Sequence, residues 1–185
     1  MPPHADPALE KRILDAARKL WHRGGEKAFT MRAVATAART TTPTVYGRFR
    51  DKREIQRALR NQVRQELYAV LKETRSLREV GECYINFALE RPHDYQLLTE
   101  GWALAPPNDP KPSFNLMKER LASRIGCQPE ECHRLTLALW AMLHGTVTLA
   151  IAGRPEKKLL EDMRQACLDA VENLALTATA LATTI

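Results

Sequence analysis

The sequence predicts an all-α protein: an N-terminal three-helix module over residues 1–50 and a roughly six-helix body over residues 51–185. Three observations carry this expectation. Apolar residues recur at three- and four-residue spacing along nearly the whole chain. No stretch alternates with period two, and no hairpin dipeptide separates two apolar runs. Helix punctuation, with Thr, Ser or Asp before the periodic runs and Gly or Pro after them, recurs between segments.

The elements follow in order. Asp6-Pro7 reads as an N-cap with proline in the first helical position. Leu9, Ile13, Ala16, Ala17 and Leu20 then share one face until Gly24-Gly25 stops the helix. Trp21 is expected to pack beneath it. Thr30 caps a short helix over residues 31–38, with Met31, Val34, Ala35 and Ala38 inward. After a turn at Arg39-Thr40, Thr41 caps a third short helix over residues 42–49, anchored by Val45 and Phe49. Pro43 is tolerated in its first turn. A longer helix runs from about Asp51 to Lys72. Ser76-Leu77-Arg78-Glu79 reads as a capping box for the next helix, which ends near Arg91-Pro92. A short helix is expected over residues 93–101. Pro106, Pro107, Pro110 and Pro112 mark a loop. Residues 113–126 are again helical, Pro129 opens an apolar helix reaching Gly153, and Pro155 starts the last one.

Charge divides the chain. Residues 1–60 hold 14 Lys/Arg and 6 Asp/Glu, a net of +8; residues 61–185 hold 14 and 16, a net of −2. A basic head on a near-neutral body points to a polyanion partner for the head. The four cysteines are widely spaced and suggest no disulfide framework. The start, Met1-Pro2-Pro3-His4-Ala5-Asp6, lacks the apolar core of a leader, so a cytoplasmic location is expected. Residues 135–153 carry no charged side chain, a length that can span a bilayer. Thr136, Thr146, Thr148 and His144 within it, and no flanking aromatic belt, favour a helix buried between protein surfaces.

Two short helices joined by a tight turn, the second rich in Thr, Tyr and Arg, have the form of a helix-turn-helix. Val45 and Phe49 supply the buried face. Thr42, Pro43, Thr44 and Gly47 are small enough for a major groove, and Thr side chains can contact base edges. Tyr46, Arg48, Arg50, Lys52 and Arg53 lie where phosphates would pass. The start of the helix near Asp51-Lys52 also offers backbone N–H groups to a phosphate.

Three runs, Ile13-Leu14-Asp15-Ala16-Ala17, Phe29-Thr30-Met31-Arg32-Ala33-Val34-Ala35 and Thr44-Val45-Tyr46-Gly47-Arg48-Phe49-Arg50-Asp51-Lys52, resemble in order and spacing the signature of the tetracycline-repressor (TetR) family. The resemblance covers about residues 9–60. It implies an all-helical homodimer with a DNA-reading head and a regulatory body. On this resemblance the recognition positions fall on Thr41, Thr42, Pro43, Thr44 and Tyr46, the phosphate-contacting lysine on Lys52, and the helix-capping threonine on Thr30. Arg32, Arg39 and Arg48 complete the DNA-facing candidates. Arg39-Thr40 stands where the family usually has Gly-Val. Either the turn differs, or Arg39 is accepted there because it reaches DNA.

The body carries weaker signals. Trp140-Ala141-Met142-Leu143-His144-Gly145 resembles a Trp…His-Gly motif in the C-terminal domains of some TetR-like regulators, and Gly145 would permit close helix approach. Dimerisation is expected through residues 129–153 and 155–178. A helix apolar nearly all round needs cover on several faces. Candidate lining residues for an effector pocket are Tyr84, Phe87, Tyr95, Trp102, Phe114, Met117, Trp140 and His144. For each, simple core packing is the competing reading. Cys127, Cys132 and His133 lack a second ligand pair, so no metal is expected, and no cofactor. No phosphate loop, HExxH or GxSxG motif and no convergent catalytic set is present, so the chain is read as a non-enzyme.

Three function readings stand at this point. The first is a ligand-responsive regulator, a repressor that binds a near-palindromic double-stranded DNA operator as a homodimer and is released by a small-molecule effector, with no membrane partner. The second is a constitutive DNA-binding protein without effector. The third is an enzyme with a helical catalytic body.

Overall fold

The computed structural model describes residues 7–100 and 111–182, with side chains to residue 178. Among these residues the chain forms nine helices and no strand: α1 (Pro7–Ala28), α2 (Met31–Ala37), α3 (Thr42–Tyr46), α4 (Lys52–Leu71), α5 (Leu77–Glu90), α6 (Pro92–Thr99), α7 (Pro112–Ile125), α8 (His133–Gly153) and α9 (Lys157–Ala182). They gather into two packing units. One holds Met1–Val63 and His93–Ala103, the other Arg64–Pro92 and Leu104–Ile185. These units group residues differently from a division at residue 50, because α4 contributes to both and α6 joins the N-terminal one.

In the first unit α1 packs on α2 and α2 on α3. Ile13, Ala17, Trp21, Phe29, Val34 and Val45 are fully buried. Burying each large apolar side chain is worth about 1.5–3 kcal/mol. Trp21 is a core residue, as its place on α1 predicts. Its ring meets Phe29 edge-on at 5.7 Å, and its indole N–H donates to the carbonyl of His93 at 2.7 Å. The stop expected at Gly24-Gly25 is a break inside α1, where both residues leave helical geometry. Gly25 has φ +56°, which a side chain tolerates poorly, and a Cβ there would lie 3.3 Å from His93 Nδ1.

Long-range polar ties hold α6 in this unit. Asp94, 1% exposed, accepts from Arg18 Nη2 at 3.1 Å and pairs with His22 Nε2 at 2.7 Å. Arg60 Nε donates to the carbonyl of Leu97 at 2.8 Å.

In the second unit α5 packs against α7, α8 and α9, and these three helices pack on one another. Gly81 permits the closest approach: a Cβ would lie 2.7 Å from Leu168 Cδ2 and 3.4 Å from Leu143 Cδ2. Arg78 ties α5 to α9 through Asp169 (2.9 Å), Glu172 (3.1 Å) and Gln165 (2.7 Å). The hydrogen bond to Asp169 leads in raising the guanidinium pKa above its ordinary value. The box before α5 forms with a shift. Ser76 Oγ accepts from the Glu79 N–H at 3.1 Å, while the Glu79 carboxylate reaches back one residue further, to the Arg75 N–H at 2.6 Å.

Some boundaries differ from expectation. The third helix ends at Tyr46, and a turn at residues 47–48 leads into Phe49, which is still buried. Pro129 does not open the apolar helix. Residues 128–133 make successive i→i−3 turns, with Glu131, Cys132 and His133 N–H groups donating to Gln128, Pro129 and Glu130 carbonyls, and α8 starts at His133. The Glu131 carboxylate holds the Gln128 N–H at 3.0 Å, which stabilises the turn against helix. The last helix starts at Lys157 instead of Pro155. Trp102 and the stretch with Pro106, Pro107 and Pro110 lie outside the described residues.

Candidate nucleic-acid interface

The motif rests on two helix starts and one helix end. Thr30 is extended (φ −125°, ψ 152°) and its Oγ1 accepts from the Ala33 N–H at 3.1 Å. Thr41 is extended as well, and its Oγ1 accepts from the Thr44 N–H at 3.3 Å. Both are the N-caps that the sequence predicts, and each satisfies a donor that the helix start leaves open.

Between them, α2 ends in a double-bonded cap. The Arg39 N–H donates to Thr36 O at 3.1 Å, and the Thr40 N–H to Ala35 O at 2.9 Å. This is the Schellman pattern, and it requires a left-handed residue after the helix. Arg39 supplies it at φ 54°. The turn therefore keeps its left-handed geometry with Arg39 in the position that favours glycine. The side chain is exposed.

On α3, Val45 is fully buried and Phe49 is 5% exposed. The opposite side presents Thr41, Pro43 and Tyr46 as exposed and Thr42, Thr44 and Arg48 as half-buried. Tyr46 is 53% exposed, unusually open for a large aromatic side chain. Thr41 and Thr44 share a hydrogen bond between hydroxyls at 2.8 Å, so the Thr44 hydroxyl is held in place by its own helix cap. Arg32 is exposed on α2 and lines an open groove with Leu20, Thr30, Ala33, Thr36 and Ala37.

Lys52 at the start of α4 is held from two sides. Its Nζ lies 3.2 Å from Glu26 Oε1 and 5.5 Å above the Phe29 ring. The sequence reading missed Glu26 because 26 residues separate the pair. The start of α4 is also less open than expected. Asp51 Oδ1 accepts from the Glu54 N–H at 2.8 Å, and the Glu54 carboxylate accepts from the Arg50 N–H at 2.6 Å. This reciprocal cap uses N–H groups that a phosphate would otherwise meet.

The expected pocket residues are dispersed. Tyr84, Phe87 and Met117 are buried in the second unit, and Tyr95 is buried on α6 of the first. Phe114, Trp140 and His144 are half-buried. Arg91 lies 5.2 Å over the Phe87 ring, and two further ring contacts are described in this group. Trp140 stacks on His144 with centroids 5.0 Å apart and planes 8° apart, and Phe114 meets His133 edge-on at 5.7 Å. Burial lowers the His144 pKa below its ordinary value. Among the described residues no other element comes within 4 Å of a Cβ position at Gly145, so the close helix approach expected there is not seen in one copy.

Similarity to known proteins agrees with this arrangement. The model for bacterial regulatory proteins of the tetR family matches residues 13–59, and that for the tetracyclin repressor-like C-terminal domain matches residues 77–174. Solved structures share the fold. A protein of unknown function from Rhodococcus sp. RHA1 superposes with TM-score 0.71 at 21% identity, covering 91% of this chain and 96% of that one. TetR from Acinetobacter baumannii AYE gives 0.66 at 18%, covering 91% and 95%. A TetR-family transcriptional regulator from Haemophilus influenzae Rd gives 0.57 at 19%, covering 90% and 98%. No individual curated protein matches the sequence. Two family models in order along the chain, over a helix-turn-helix with both caps in place, make this protein a member of the TetR family, a DNA-binding transcriptional regulator.

Proposed function

We propose that the protein is a ligand-responsive repressor that acts as a cytoplasmic homodimer on a near-palindromic operator. The observation that carries the reading is α3 itself: a helix whose buried side is Val45 and whose outward side is Thr41, Thr42, Pro43, Thr44 and Tyr46. Thr44 reads a base edge, and Tyr46, Arg48 and Lys52 hold phosphates, with Thr30, Arg32 and Arg39 beside them. The functional division runs near residue 50, with DNA reading before it and effector sensing and dimerisation after it.

Dimerisation through α8 and α9 is supported by what one copy leaves uncovered. Helix α8 is long and apolar enough to cross a membrane by length and composition, yet only 28% of that apolar window is buried within the chain. Leu149 on α8 is 65% exposed, and Leu159, Leu174 and Leu176 on α9 are 49%, 39% and 52% exposed. Apolar surface of this extent calls for a partner face, and a second copy of the same two helices supplies a self-complementary one. Two recognition helices would then enter successive major grooves, with half-site centres about 34–36 Å apart. An effector held within the second unit, beside Tyr84, Phe87, Phe114, Met117, Trp140 or His144, would lower DNA affinity by binding one arrangement of the helices better than the other.

A gel shift with the protein's own promoter region, with and without cell extract, tests the reading. A sequence-specific shift weakened by extract is expected. A shift that no extract alters would favour the constitutive reading, and no specific shift under any condition would overturn operator binding.

A further inference from the structure

The turn between α7 and α8 brings two sulfur atoms together. Cys127 Sγ and Cys132 Sγ are 2.8 Å apart, with one thiol donating to the other. The backbone holds both. Helix α7 ends at Gly126 in the left-handed region, and the Cys127 N–H donates back to Ala122 O at 3.2 Å. On the other side the Cys132 N–H donates to Pro129 O at 3.2 Å, and its carbonyl accepts both the N–H and the hydroxyl of Thr136 at 2.8 Å. Thr136 is fully buried. The backbone of both cysteines is therefore held by the end of one helix and the start of the next.

The two thiols are unequal. Cys127 is half-exposed and Cys132 is 3% exposed. Burial first, and then the hydrogen bond with Cys127, push the Cys132 thiol up to about 12. Cys132 therefore keeps its proton at neutral pH, and Cys127 is the more accessible sulfur of the two. Lys118, whose Nζ is 3.6 Å from Glu130 Oε1, bridges α7 to the same turn, where Glu131 raises the Cys132 thiol further and Lys118 acts the other way.

We propose that Cys127 and Cys132 form a reversible disulfide when the protein meets a hydroperoxide. Cys127 sulfur attacks the terminal peroxide oxygen. The O–O bond breaks, an S–O bond forms, and water or an alcohol leaves, which yields a sulfenic acid at Cys127. Cys132 sulfur then attacks Cys127 sulfur. The S–O bond breaks, the S–S bond forms, and the departing hydroxyl takes the Cys132 proton as water. Two thiols lose two hydrogens and two electrons, and one peroxide accepts them. A dithiol reductant returns both by exchange. Closure needs the sulfurs to approach from 2.8 Å to about 2.05 Å, a movement within reach of the side chains. The bond would clamp the end of α7 to the start of α8.

The two cysteines sit on one tryptic peptide, between the cleavage sites after Arg124 and Arg134. After treatment of the full chain with hydrogen peroxide, that peptide should become lighter by two hydrogens, and titratable thiols should fall from four to two. Dithiothreitol should restore both readings. Cys127→Ser should keep all its remaining thiols under the same treatment. Cys132→Ser should instead trap a sulfenic acid at Cys127 that a dimedone probe captures. Four thiols persisting in the treated wild-type chain would overturn the proposal, as would a disulfide that maps to Cys83 or Cys167 or links two chains. Cys127 lies outside the buried core, so the Cys127→Ser control does not depend on repacking it.

Discussion

Arg18 of α1 reaches Asp94 of α6 at 3.1 Å, although 76 residues separate them in sequence. Asp94 is almost wholly buried and His22 approaches its other oxygen at 2.7 Å, so one carboxylate satisfies two residues of the same helix. Removing it would take away the buried group that both Arg18 and His22 meet, and with it a tie between α1 and α6. Asp94→Ala should therefore destabilise the protein by about 2 kcal/mol, less than for a fully buried pair because Arg18 and His22 both keep some solvent. Arg18→Ala should cost less. Chemical denaturation measures both, and a change within about 0.5 kcal/mol for Asp94→Ala would refute the assignment.

Arg39 holds the left-handed position of the α2 cap at φ 54°. A non-glycine residue costs about 1 kcal/mol there. Arg39→Gly should raise stability by about 0.5–1 kcal/mol, reduced by the greater freedom of glycine in the unfolded chain. If Arg39 also contacts DNA, the same variant should bind every duplex more weakly. Greater stability with unchanged DNA affinity would show that Arg39 only fills the turn.

Thr44 and Tyr46 separate base reading from phosphate holding. Thr44→Ala should change preference among operator variants by about 1–3 kcal/mol at one base position. Tyr46→Ala should weaken specific and random DNA alike. Lys52→Ala should lower the salt slope of binding by about one unit, and it also releases Glu26. Equal effects of the Thr44 and Tyr46 variants on both kinds of DNA would overturn the distinction.

Burial lowers the His144 pKa from its ordinary 6.5. The unfolded chain then binds more protons than the folded one between the lowered value and 6.5, so stability falls as pH drops through that window and is indifferent to this group above it. His144→Gln should flatten this part of the curve of unfolding free energy against pH. An unchanged slope in that window would show that other groups set it.

Among the described residues, Leu149 and Leu176 are the most exposed large apolar side chains of α8 and α9. Leu149→Glu with Leu176→Glu should convert a dimer to a monomer in sedimentation, because each charge would be buried against an apolar face. Helical circular dichroism should persist, since neither side chain belongs to the core of one copy. A wild-type chain that sediments as a monomer would defeat the dimer proposal outright.

The local features were legible because they depend on neighbours in the chain. Thr30, Thr41 and Ser76 cap helices through bonds to residues three positions on, and Val45 and Phe49 anchor α3 at helical spacing. Periodicity and the charge division likewise named an all-helical protein with a basic head. Short boundaries escaped where a side chain competes for the backbone, as Glu131 does after Pro129.

The tertiary structure decided what no local pattern encodes. Asp94 became a buried anchor for Arg18 and His22, Gly81 a contact point for Leu143 and Leu168, and Glu26 the partner of Lys52. Each pairing joins residues far apart in the chain, and it forms only when folding brings them together. The left-handed Arg39 belongs to neither kind alone. Sequence marked the position as costly for arginine, and the double-bonded cap of α2 shows the backbone holding it there.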